Sequence, residues 1–155
     1  MESASVSLTN LDPNLDCDWL ISEGFQRRSN RWNDFISHTM DVWWRLDGDN
    51  EASFAWYVNK GHMNGARVLH GGAMMTYLDH CMGALCYMRT GGQFAHTMQL
   101  STQFIKPVRA NRWVHAHVQH IAGTGSAQLL EAVAMVNSTV VAKAHGSFVD
   151  PKIKR

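Results

Sequence analysis

The sequence predicts an α+β fold in which a curved antiparallel sheet wraps around one long buried helix. Three observations carry this. From Ala73 to Met88 the apolar side chains occupy nearly every direction around a helix, so that helix must be enclosed. Behind it lie four segments with strand patterning, and ahead of it lies a hairpin. A helix with no polar face belongs on the concave side of such a sheet.

The elements follow in order. Residues 1–13 are polar and acidic, without the basic and apolar stretches of a secretory signal, and are expected to form a loose arm. Residues 14–150 read as one domain, and 151–155 as a charged tail. Cys17 to Phe25 has helix-like spacing that Gly24 can terminate. Asp34 to Trp44 gives no clear pattern. Val42 to Leu46 and Ala52 to Val58 read as a hairpin around Asp47, Gly48, Asp49 and Asn50.

The central helix is expected to begin after Gly71-Gly72 and to stop at Gly91-Gly92. His96 to Ile105 then alternates, with Met98, Leu100, Thr102 and Phe104 on one face and Thr97, Gln99, Ser101 and Gln103 on the other. Strands around Val114 to Val118, Ser126 to Val136 and Thr139 to Val149 complete a four-strand meander, divided by Gly123-Thr124-Gly125 and Asn137-Ser138. This is the hotdog architecture. Its open edges and the exposed side of its helix call for a homodimer, with pairing of dimers into tetramers left open.

Composition narrows the function. Fourteen Lys and Arg against 13 Asp and Glu leave a net charge of +1, too little to suggest nucleic acid or an anionic membrane as partner. No apolar run approaches the roughly 18 to 20 residues that span a bilayer. Three cysteines cannot all pair, and Cys81 and Cys86 point in different directions on one helix, so reduced thiols in the cytoplasm are expected.

Asp79 is the most informative residue. It sits mid-helix among Tyr77, Leu78, Cys81 and Met82, where a carboxylate loses solvation. It is either a side chain open to solvent or bonded to His80 or Thr76, or else a general base or nucleophile. His70-Gly71-Gly72 lies at the helix start, where amides lack intrahelical partners and the dipole is positive. Such a turn can be an ordinary entry to a helix, or a site for a developing oxyanion that approaches closely because no Cβ intervenes. Asp79 lies about 10 Å along the axis from Gly72. One helix cannot bring both to one carbonyl, but two antiparallel helices across a dimer interface can.

The run from Asn64 to Gly72, followed by Leu78-Asp79 and Gly83, resembles the phenylacetate-pathway (PaaI-like) hotdog acyl-CoA thioesterases, whose pattern is N-x-x-G-x-x-H-G-G with an aspartate nine residues after the histidine. The resemblance spans roughly residues 50–149. It implies that Asp79 is base or nucleophile, that Gly71 donates its amide to the thioester oxygen, and that Asn64 and His70 shape the carbonyl side. It also implies that Thr97 positions the attacking water; read alone, Thr97 is a β-branched strand residue. The family's glycine three residues after the asparagine is Arg67 here, with a glycine at Gly65 instead, so a shifted turn is expected.

Arg67, Lys106, Arg109 and Arg112 are either solvated loop cations or a grip for CoA phosphates. His115, His117 and His120 invite a metal reading, but no carboxylate or thiolate in the surrounding strand completes a ligand set, so no metal is expected. Neither is a cofactor. The leading function is acyl-CoA thioester hydrolysis, with a hotdog 3-hydroxyacyl thioester dehydratase or hydratase, or a non-catalytic acyl-CoA binding module, as alternatives.

Overall fold

The computed structural model describes residues 17–124 and 126–150, so the expected arm at 1–13 and tail at 151–155 lie outside the described residues. The helices are α1 (Cys17–Ser22), α2 (Phe35–Thr39) and α3 (Gly71–Arg89). The strands are β1 (Gln26–Arg27), β2 (Val42–Gly48), β3 (Glu51–Val58), β4 (His96–Phe104), β5 (Arg112–Thr124), β6 (Ala127–Val136) and β7 (Thr139–Val149). The strands form one antiparallel sheet in the order β1-β2-β3-β5-β6-β7-β4, with α3 against it, which is the hotdog fold.

Alternation decides what faces α3. Ala52, Phe54, Trp56 and Val58 on β3 meet Val114, Ala116 and Val118 on β5 in register, and all are buried. On β6 and β7 the inward positions are largely small, with Ala132, Ala134, Ala142 and Ala144, which lets α3 come close to the sheet. The helix answers with Met74, Tyr77, Leu78, Cys81, Met82, Leu85 and Cys86, a stripe repeating every three to four residues. Each large side chain buried there contributes about 1.5–3 kcal/mol. Outside that stripe the helix is only half-buried in a single chain, including Met75, Asp79 and Ala84. Full enclosure, expected from its all-round apolar composition, therefore fails for the chain alone.

A smaller core lies on the outer face of the sheet, where Leu20 and Phe25 cover Trp43 and Ala55. Helix α1 ends as Gly24 takes φ +82°, with Phe25 N–H donating to the Leu20 carbonyl at 2.8 Å and Gly24 N–H to that of Ile21 at 3.0 Å. This double closure brings Phe25 back onto Leu20. The unpatterned stretch before β2 hides a short helix. Asp34 caps α2, accepting from the Ser37 amide at 3.0 Å while Ser37 Oγ accepts from the Asp34 amide at 2.9 Å.

Two expectations about β4 need correction. In a four-strand meander it would lie beside β5, but it pairs with β7 at the sheet edge, because the β4–β5 connection crosses the sheet. Nor does simple alternation hold along it. Thr97 pairs with Phe148 and Gln99 with Ser147, so Met98 is an extra residue in a β-bulge. The bulge reverses the phase of the strand. Thr97 thus shares the inward face with Leu100, Thr102 and Phe104, which lie opposite Gly146, Ala144 and Ala142.

Candidate active site

The loop before α3 folds back on itself through its own hydrogen bonds. Asn64 Oδ1 accepts from the Ala66 amide at 2.9 Å and the Val68 amide at 3.3 Å, while the Asn64 carbonyl accepts from Arg67 N–H at 2.9 Å. Asn64 is thereby a turn-former. The shifted turn expected from Gly65 is not what forms: Arg67 itself takes the left-handed conformation, φ 60°, at the position where the resembling family has glycine. Gly65 has no positive φ and no neighbour near its missing Cβ. The local hydrogen bonds impose a backbone shape that a non-glycine residue adopts at a cost of about 1–3 kcal/mol.

The loop is strapped in place by Leu69 N–H to the Val108 carbonyl at 2.7 Å and His70 N–H to the His62 carbonyl at 3.0 Å. His70 is the N-cap of α3, and its Nδ1 accepts from the Gly72 amide at 2.9 Å. A Cβ on Gly72 would lie 3.1 Å from that nitrogen. The Gly71 amide has no acceptor among the described residues. A Cβ on Gly71 would meet Phe104 Cζ at 3.3 Å, so glycine there keeps a narrow space between helix and ring. Gly71 opens on a concavity of about 350 Å³ shared with Phe104, Lys106 and Val108.

Asp79 faces elsewhere. Thr97 Oγ1 donates to Asp79 Oδ1 at 2.8 Å, and both residues line a cleft of about 620 Å³, within the range of small-molecule sites. The bulge at Met98 makes this bond possible by turning Thr97 inward. His80 borders the same cleft, and burial, reinforced by the Arg28 guanidinium, pushes its imidazole down to about 4, with Asp34 opposing. It is neutral at physiological pH. Burial would raise the Asp34 carboxyl, but the Ser37 hydrogen bonds and Arg28 together hold it below the usual carboxylate range.

The structure thus brings Asp79 to Thr97, and His70 to Gly71 and Gly72, but it keeps the two groups in separate concavities of one chain. Lys106 stands at the Gly71 concavity, Arg67 adjoins Val68 at its edge, and Arg109 and Arg112 line neither space. Arg112 donates to the carbonyl of neighbouring Asn111 at 2.9 Å. No group of three or more His, Cys, Asp or Glu is gathered to hold a metal among the described residues. His115 is buried on β5, and His117 sits between Asp47 and Glu51 at 3.7 and 3.4 Å. No helix among the described residues is long and apolar enough to cross a membrane.

Sequence reading missed the wall of the Asp79 cleft made by Arg28, Trp32 and Asp34, and also the place of His80, Tyr87 and Phe94 in it. The spacing of Arg28 and Asp34 around a turn was the available signal.

The fold is that of the hotdog proteins, and comparison with known proteins agrees. The thioesterase superfamily model matches residues 66–125, which include the turn, Asp79 and Thr97. No curated protein matches the chain in sequence. Among solved structures, the chain is similar to PaaI from the phenylacetic acid degradation operon of Escherichia coli, with 16% identity and TM-score 0.63, covering 86% of this chain and 83% of that one. It is similar to a hypothetical thioesterase of Streptococcus pneumoniae solved with coenzyme A, with 16% identity and TM-score 0.63, covering 70% and 88%. It is likewise similar to zebrafish thioesterase superfamily member 2, with 12% identity and TM-score 0.66, covering 76% and 87%. The hotdog fold implied by the resemblance to the PaaI-like family is thus also the fold that the chain shares with PaaI.

Proposed function

We propose that the protein is an acyl-CoA thioesterase whose active site is shared by two copies of the chain. The observation that carries this is the division of labour along α3: an unbonded Gly71 amide at its N-terminus, and about 12 Å further on a carboxylate bonded to Thr97 in a separate cleft. An antiparallel α3 from a second copy brings the Gly71 of one chain opposite the Asp79 of the other. Support for that partner comes from edge strand β4, where Met98 and Phe104 are 66% and 56% exposed, and from the half-buried second side of α3.

In this reading the thioester oxygen accepts from Gly71 N–H, where the positive end of α3 stabilises the developing oxyanion. Asp79 either takes a proton from water as it attacks the carbonyl carbon or attacks that carbon itself, and the tetrahedral intermediate then expels the CoA thiolate; in the second case water cleaves the resulting mixed anhydride, which releases the acid and restores Asp79. Thr97 fixes one carboxylate oxygen. Lys106 and Arg67 flank the Gly71 concavity and take the CoA end. No metal or cofactor takes part. The three free cysteines suit a reducing compartment, and we place the enzyme in the cytoplasm.

A 3-hydroxyacyl thioester hydratase needs a histidine working beside the carboxylate; His70 is turned back onto the Gly72 amide, so such a reading would have to use His80, which borders the Asp79 cleft. The test is a panel of acyl-CoAs with a thiol reagent, run on wild type and Asp79→Asn, together with mass measurement of the assembly. CoA release by the wild type alone, from a dimer or a dimer of dimers, is the expected result. A folded protein that releases no thiol from any acyl-CoA overturns the reading.

A further inference from the structure

The cleft in front of Asp79 has a direction. Its α3 wall consists of Asp79, His80, Gly83, Ala84, Tyr87 and Met88, which recur at i, i+4 and i+8 and so form one continuous face about 13 Å long. The side chains at 83 and 84 are minimal, and a Cβ on Gly83 would meet nothing closer than Phe148 at 3.8 Å, so packing does not require that glycine. The middle of the face is therefore hollow, and its far end is not.

At that end Phe94 packs on Tyr87 with ring centroids 4.8 Å apart, and Trp32 meets Phe94 edge-on at 5.4 Å. Trp32 comes from the N-terminal side of the chain and Phe94 from the loop after α3, so their contact bridges the two lips of the cleft. Both are held firmly. The loop bearing Trp32 is closed at its base by the Arg28–Asp34 ion pair, Arg28 N–H donates to the Val42 carbonyl at 2.8 Å, and Asn33 turns the chain with φ 45°. On the other lip, Thr90 Oγ1 accepts from the Gln93 amide at 3.3 Å and donates within the same turn.

Two half-exposed aromatic rings in edge contact across a cleft have no core to fill; Trp32 is 46% and Phe94 58% exposed. We infer that Trp32 and Phe94 form the end-stop of an acyl groove that starts at Asp79, and that this pair sets the longest acyl chain the protein accepts. The substrate class is then an apolar acyl group of limited length. The inference rests on the proposed thioesterase reading for the identity of the ligand, but its geometry does not depend on turnover.

The test therefore measures binding. Non-hydrolysable S-alkyl-CoA thioethers of increasing alkyl length are titrated calorimetrically into wild type, Trp32→Ala, Phe94→Ala and Phe94→Leu. In the wild type affinity should rise about fourfold per methylene while the chain fills the groove, then break at one length. In Trp32→Ala and Phe94→Ala the break should move to chains longer by about two methylenes or more, as the removed rings leave space. Phe94→Leu should move it less. An affinity independent of length in the wild type, or a break at the same length in both alanine variants with their folds intact, overturns the end-stop. If the break moves as expected but no acyl-CoA is hydrolysed, the groove stands and the thioesterase reading falls.

Discussion

At the N-terminal turn of α3 the chain supplies almost all of its own partners, whereas at Asp79 it supplies one. Asn64 holds two amides and His70 holds Gly72, while the Gly71 amide has no acceptor among the described residues. Among the described residues the Asp79 carboxylate has a single hydrogen bond, from Thr97, and an open cleft lies before it. The difference follows from what each group would do. Backbone donors stabilise an oxyanion only if they are fixed before charge develops. A carboxylate that meets water and an acyl chain must instead be reachable. A chain can complete the first alone, but the second needs something brought to it.

The largest break in that contrast should come from Asp79→Asn, which removes the base or nucleophile and leaves the turn intact. Turnover should fall by at least about a hundredfold with the melting curve unchanged. Near-normal hydrolysis by the folded variant would take Asp79 out of the chemistry.

Sharing of the site can be read from mixtures. Gly71→Ala and Asp79→Ala homodimers should each be nearly inactive, but co-refolding them makes about half the dimers mixed, each with one intact site of two. Activity should return to about a quarter of wild type. Confirmed mixing without recovery would place turn and carboxylate in the same chain.

Thr97→Val keeps the shape of the strand and deletes one charge-assisted hydrogen bond. A fall in kcat of about tenfold is expected, with KM moving less, measured by steady-state hydrolysis. An unaltered kcat would make Thr97 a strand residue that happens to touch Asp79.

Smaller still is the effect at Gly146, where a Cβ would lie 3.0 Å from the Gln99 carbonyl and from Phe148. Gly146→Ala should cost about 1–3 kcal/mol by overpacking and disturb the bulge beside Thr97. Denaturant titration reads the first effect and kcat the second. The last effect lies outside the site and leaves the chemistry untouched. Burial pushes His115 down to about 4 from its ordinary 6.5, so the unfolded chain binds a proton that the folded one refuses. Stability contributed there is present above about 6.5 and should decline toward pH 4, by at most about 1.4 kcal/mol per pH unit. In His115→Gln that slope should flatten.

Where structure is local, the sequence shows it. The limits of β7, the hairpin of β2 and β3 and the body of α3 all follow from periodicity over a few residues and the turn formers beside them. The H-G-G turn and Asp79 are legible for the same reason, since both sit on one helix at fixed spacing. Nothing local marks Met98 as an extra residue, because its alternation with Leu100 looks regular until β7 is laid against it. The same applies to Arg67, whose backbone is set by Asn64 hydrogen bonds while Gly65 drew attention as the apparent turn residue. The Trp32–Phe94 contact joins segments some sixty residues apart, and pattern reading has no access to it.

The bulge has a genetic consequence. With Met98 present Thr97 faces inward only because one residue of the strand is surplus, so regular alternation and an inward Thr97 go together only in a strand one residue shorter. Deleting the Met98 codon should remove the bulge, restore regular alternation and leave Thr97 opposite Phe148 on the inward face, within reach of Asp79. The contact should therefore survive an in-frame loss of three bases, whereas a missense change of the neighbouring codon to valine removes it.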